Sequence, residues 1–137
     1  PKLITKLIDH LLNDNLDFVL GSRDRELNEP GALFWHAILG NKLMTAVIKL
    51  TTGYQYRDMG PMRVLIYQKL IDLNMQDNNF CWTLEMQHKA ALAGYSIGEI
   101  PVPYRPRIGH SKVSGNLKGS IKASIKIITC LFRYLIK

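Results

Sequence analysis

The chain has 137 residues, 47% of them hydrophobic and 21% charged, enough for one small domain with a real core and too apolar for a disordered chain. Its two cysteines, Cys81 and Cys130, lie far apart without metal-ligand spacing, which offers neither a disulfide framework nor a zinc site and points to a reducing compartment. The net charge of +7 is uneven: residues 1–99 carry 10 Lys or Arg against 11 Asp or Glu, whereas residues 100–137 carry 8 basic residues and no acid. Such asymmetry suits a polyanionic partner, which charge alone does not identify as a nucleotide diphosphate, an anionic lipid or nucleic acid.

No signal peptide opens the chain, and it begins with Pro1 rather than Met, so a longer native protein is expected. Leu3, Ile4, Leu7, Ile8, Leu11 and Leu12 recur at helical spacing and predict an amphipathic helix packed on a sheet. The string D-F-V-L at 17–20 predicts a short buried strand that ends at Gly21, Ser22 and Arg23. In open α/β sheets ligands bind beyond the carboxyl ends of strands, so Arg23 is a candidate anion contact. A solvated charged loop beside Asp24, Arg25 and Glu26 accounts for it equally well.

A second helix is expected over 33–51, with Leu39, Leu43, Val47 and Leu50 on one face and Gly53 placed to stop it. The following loop, 54–63, carries one carboxylate, Asp58, among aromatics and two arginines. An ion pair with Arg57 or Arg63 explains it structurally. A strand over 64–67, a short helix over 68–73 and a polar turn over 76–79 lead into a helix over 82–93 that Gly94 ends. Glu85 lies in its first turn, where the helix dipole alone favours a carboxylate.

A strand over 95–102 follows, and Pro101 and Pro103 keep the chain extended. The basic loop beyond it reads as an anion-binding segment. Arg107 offers a planar fork, Lys112 a point charge, and Ser111 and the backbone N–H groups around Gly109 and Gly115 complete a shell that fits a diphosphate. A solvated basic turn has the same composition. From Leu117 an apolar face, including Ile121, Ile125 and Ile128, runs beside Lys118, Lys122, Lys126 and Arg133. Cations so spaced argue against a spanning helix; the segment either lies on an anionic membrane surface or packs on its own domain. Alternating helices and strands without a linker or repeat predict one layered α/β unit over 1–116 followed by the basic amphipathic helix over 117–137.

Taken in order, D-F-V-L-G-S-R (17–23), G-N (40–41), D-M-G-P-M-R (58–63), W-T-L-E-M (82–86), E-I-P-V-P-Y-R-P-R (99–107) and G-H-S-K-V-S-G (109–115) resemble the C-terminal half of family 2 glycosyltransferases with a GT-A fold, especially those similar to dolichol-phosphate mannosyltransferases and polyprenyl-phosphate glycosyltransferases. The resemblance covers nearly the whole chain, and it departs at Met62, Cys81 and His110. It implies transfer of a sugar from a nucleotide-diphosphate sugar to an acceptor such as a polyprenyl or dolichyl phosphate at the cytoplasmic face of a membrane, with peripheral membrane contact. By analogy Arg107, Ser111 and Lys112 would bind the donor diphosphate, Arg23 the acceptor phosphate, and Asp58 and Glu85 would line the catalytic cleft. The family's divalent metal, Mg or Mn, would be held by an upstream D-x-D that this chain does not contain, so the chain alone is expected to be inactive. The competing reading is a non-catalytic basic module on anionic membranes. No nucleic-acid motif or aromatic–basic stacking platform is present in the sequence, so no nucleic-acid partner is expected.

Overall fold

The computed structural model describes residues 2–23, 29, 35–78, 81–105 and 129. The elements among them run α1 (Lys2–Asn13), β1 (Phe18–Arg23), α2 (Trp35–Thr52), β2 (Arg63–Leu65), α3 (Tyr67–Asp72), α4 (Trp82–Leu92) and β3 (Ile97–Val102). The order of helices and strands is that expected; β2 is shorter, and Tyr67 already opens α3. The basic loop with Arg107, Ser111 and Lys112, and the helix expected from residue 117, lie outside the described residues.

The three strands form one sheet in the order β2-β1-β3. β1 runs antiparallel to β2, with Phe18 opposite Leu65, and parallel to β3, with Phe18 opposite Ile97 and Arg23 opposite Val102. Alternation along β1 divides the core. Phe18 and Leu20 point into a cluster with Met44, Val47 and Ile48 of α2 and Leu84, Met86 and Ala90 of α4. Val19 points the other way and meets Leu7 and Leu11 of α1 together with Val102. The central strand is therefore covered on both faces, which is why D-F-V-L reads as a continuous apolar run.

Helix α1 ends as its sequence dictates. Asn15 takes the left-handed conformation (φ 52°), and the Leu16 N–H turns back to the Leu11 carbonyl at 2.9 Å. Its last turn lies so close to β3 that a Cβ at Gly98 would clash with Leu16 and His10. Of the apolar stripe, Leu7 and Leu11 are buried, while Ile4, Ile8 and Leu12 are exposed.

The residues expected to share one face of α2 do not share one environment. Met44, Thr45, Val47 and Ile48 are buried, whereas Leu39, Leu43 and Leu50 are 61%, 50% and 80% exposed. Apolar residues occupy most of this helix's circumference, so periodicity alone does not choose which side meets the sheet. Among the described residues no helix is long and apolar enough to cross a membrane. Cys81 is disulfide-bonded, which corrects the expectation of reduced thiols; the chain's other cysteine lies outside the described residues.

The connection from α3 to α4 is organised by Glu85, which is 1% exposed. Its oxygens accept from the N–H groups of Gln76 (2.8 Å) and Asp77 (2.7 Å), and Lys89 Nζ lies 2.7 Å away. Burial pushes this carboxyl up, but the Lys89 ammonium and the two amides outweigh it and hold it below its usual value. The depressed value means that Glu85 stabilises the fold above the ordinary carboxylate pKa and that this contribution is lost as pH falls through the lowered one. Glu85→Gln places an NH2 group against a backbone N–H and removes the charge, so it should cost about 2 kcal/mol at pH 7. Urea unfolding of wild type and variant should show this gap at pH 7 and a closing gap on acidification; equal stability at pH 7 would show that Glu85 does not hold the connection.

Candidate functional site

Two close approaches fold the α2–β2 connection over the carboxyl end of β1. The Gly21 N–H donates to the Met62 carbonyl (2.9 Å), and a Cβ at Gly60 would collide with the Gly21 carbonyl oxygen. Glycine is needed there for the loop to rest on the strand. This contact brings Asp58 to Arg23, residues 35 apart in sequence.

The Asp58 carboxylate grips Arg23 three times. Nε donates to Oδ2 and Nη2 to Oδ1, both at 2.7 Å, and the Arg23 backbone N–H donates to Oδ2 at 2.9 Å. Two parallel N–H···O bonds fix the plane of the guanidinium as well as its position. The hydrogen bonds to Asp58 raise the Arg23 pKa against the effect of burial, so the group stays cationic. The Arg23 guanidinium also sits 5.5 Å from the centroid of the Tyr104 ring. Asn41 Oδ1, from α2, accepts from the Met59 N–H (2.7 Å) and from Arg23 Nη2 (3.4 Å). Among the described residues Arg23 hydrogen-bonds through Nε and Nη2.

Arg23, Asn41, Lys42, Arg57 and Asp58 line a cleft of about 290 Å³ over Ala37 and Ile38. Three cations face one carboxylate that is already paired. The cleft can therefore take a compact anion, with Arg23 as a pre-oriented donor. Behind it, Glu99 of β3 accepts the Arg57 N–H through both oxygens, at 3.0 and 3.1 Å. Burial pushes the Glu99 carboxyl up, although amides of Arg57 and Asp58 partly offset this.

The structure thus joins two of the residues singled out from sequence and separates a third. Arg23 and Asp58 form one unit; the partner of Asp58 is neither Arg57 nor Arg63. Arg63 instead donates to the Gly60 carbonyl (2.9 Å) and lies over Trp82 at 5.6 Å. Glu85 is not among the residues lining the cleft. Arg107, Ser111 and Lys112 lie outside the described residues. Among those residues, no group of three or more His, Cys, Asp or Glu side chains could hold a metal.

Sequence reasoning assigned no role to Asn41, Lys42, Glu99 or Tyr104, and considered Arg57 only as a partner for Asp58. A signal existed for Glu99, the last acidic residue of the chain, set in an apolar strand.

No family model matches the chain, and no solved structure does. Among curated proteins, it is 36% identical over 126 residues to uncharacterized glycosyltransferases of Mycobacterium bovis and Mycobacterium tuberculosis, covering 90% of this chain and 54% of theirs. It is 30% identical over 136 residues to a dolichyl-phosphate hexose transferase of Haloferax volcanii, covering 93% of this chain and 55% of that protein. The chain spans about half the length of the curated relatives it matches. By these likenesses the chain matches the C-terminal half of a family 2-like glycosyltransferase.

Proposed function

We propose that this chain is the acceptor side of a GT-A glycosyltransferase that moves a sugar from a nucleotide-diphosphate donor to a polyprenyl or dolichyl phosphate. The observation that carries this reading is the cleft in which Arg23, locked by Asp58, is joined by Lys42 and Arg57. A lipid phosphate oxygen is already a nucleophile. Placed against Arg23, it attacks the anomeric carbon of the donor as the bond from that carbon to the diphosphate oxygen breaks, and the nucleoside diphosphate leaves. Asp58, with both oxygens committed to Arg23, acts as an orienting group rather than a proton acceptor. Glu85 acts from further back, by holding the 74–77 connection.

Arg107, Ser111 and Lys112 are proposed to close over the donor diphosphate, with a divalent metal held by a D-x-D outside this chain supplying further charge neutralisation. Membrane contact is proposed through the outward face of α2. Leu39, Leu43 and Leu50 are exposed there, and Lys42 and Lys49 stand beside them to meet anionic headgroups at the cytoplasmic surface. A lipid acceptor makes this economical, because the phosphate cleft lies along the same helix.

Three outcomes test the reading in the full-length protein. Arg23→Ala should lower sugar transfer to a lipid phosphate at least about 100-fold, and Arg23→Lys should restore little of it because an ammonium lacks the fork. Turnover unchanged in both would leave the basic membrane module as the better account. Arg107→Ala or Lys112→Ala should raise the donor KM, and unaltered donor kinetics would remove that loop from the site. Leu43→Glu combined with Leu50→Glu should weaken sedimentation with liposomes containing anionic phospholipid; binding equal to wild type would place the membrane contact elsewhere.

A further inference from the structure

Residues 57–60 form no backbone-to-backbone hydrogen bond among the described residues, yet side chains from four different elements hold their peptide groups. Glu99 of β3 accepts the Arg57 N–H through both carboxylate oxygens. Gln87 of α4 donates Nε2 to the Asp58 carbonyl at 3.3 Å. Asn41 of α2 accepts the Met59 N–H at 2.7 Å, and Arg63 at the start of β2 donates to the Gly60 carbonyl at 2.9 Å.

Gln87 is the most informative of the four. It is completely buried, and its Oε1 has no hydrogen-bond partner among the described residues. An unsatisfied buried amide oxygen costs stability, and an apolar side chain of similar size would avoid that cost. What Gln87 gives in return is a donor to the peptide that carries the Asp58 carboxylate. Glu99 follows the same logic: an acidic group held where burial disfavours its charge, with both oxygens on the N–H of Arg57, the residue just ahead of Asp58.

We propose that Glu99 and Gln87 are positioning residues for sugar transfer, holding the main chain at the Arg57 N–H and the Asp58 carbonyl so that the Asp58 carboxylate presents Arg23 to the reacting phosphate. Neither is among the residues that line the cleft. The two-pronged Asp58–Arg23 contact tolerates little displacement, and a shift of about 1 Å at such a group can cost on the order of 100-fold in rate. The inference rests on the reading of the cleft as the acceptor-phosphate site.

The test uses the full-length protein, with kcat, the KM values of donor and lipid phosphate, and thermal stability measured side by side. Gln87→Met removes the orphaned oxygen at nearly constant volume. It should melt at or above the wild-type temperature while kcat falls about 10-fold and the donor KM stays within about 3-fold. Glu99→Ala should lose about 10- to 100-fold in kcat, and Glu99→Gln, which keeps one acceptor oxygen, should recover most of it. Hydrogen exchange at the Arg57 and Asp58 amides should quicken in Glu99→Ala and return toward wild type in Glu99→Gln.

Asp58→Asn is the control that separates this inference from the reading beneath it. If Asp58→Asn keeps full turnover, the cleft reading fails and the inference falls with it. If Asp58→Asn is impaired while Gln87→Met and Glu99→Ala keep wild-type kcat, the positioning inference alone is overturned. Losses of kcat that merely follow losses of melting temperature would overturn it too, by making both residues structural.

Discussion

A guanidinium at the end of a central strand, nearly out of water, is tolerable only with its counter-charge beside it. That pairing of Arg23 with Asp58 is the constraint on which the rest of this site depends. Their side chains are 15% and 7% exposed, so removing either partner strands a desolvated charge at a cost of about 3–5 kcal/mol. The pair also joins parts of the chain that have no local reason to meet. Arg23 comes from β1 and Asp58 from the α2–β2 connection; Tyr104, beyond the end of β3, supplies the ring beside the guanidinium. The parallel pairing of β1 with β3 carries the chain to Tyr104, and the seating of Gly60 on Gly21 fixes the height of the loop that delivers Asp58.

Much of the site is built on a loop that regular elements hold in place. A loop without its own backbone ladder must find partners for its peptide groups elsewhere, and here it finds them in side chains anchored on regular elements. α2 contributes twice, since Asn41 holds the loop while Lys42, one residue on, lines the cleft. The helix itself is fixed by Met44, Val47 and Ile48 in the core, so burial on one side determines which residues face the cleft and which leucines face outward.

The two acidic residues singled out from sequence illustrate how environment divides similar groups. Asp58 and Glu85 are both nearly buried carboxylates. Asp58 spends its oxygens on a guanidinium at the edge of an open cleft, whereas Glu85 spends them on two amides and an ammonium within the α3–α4 connection. Spacing in the sequence treats them alike. The difference arises from which donors the fold brings within about 3 Å of each.

By itself, the sequence determined the element order, the buried central strand, the helix ends at Gly53 and Gly94, where both glycines take positive φ, and the resemblance that the relatives bear out. These are local or pattern properties: apolar period, turn chemistry and ordered motifs need no knowledge of distant contacts. Tertiary structure decided the rest. Only the register of β1 against β2 and β3 could show that Asp58 pairs with Arg23 rather than with the arginines near it in sequence. Only packing could choose the inward face of α2, because that helix is apolar on nearly every side. What Glu99 and Gln87 hold became legible only when the peptide groups were placed beside them, since a buried polar side chain is explained by its partner, and the partners lie 42 and 29 residues away.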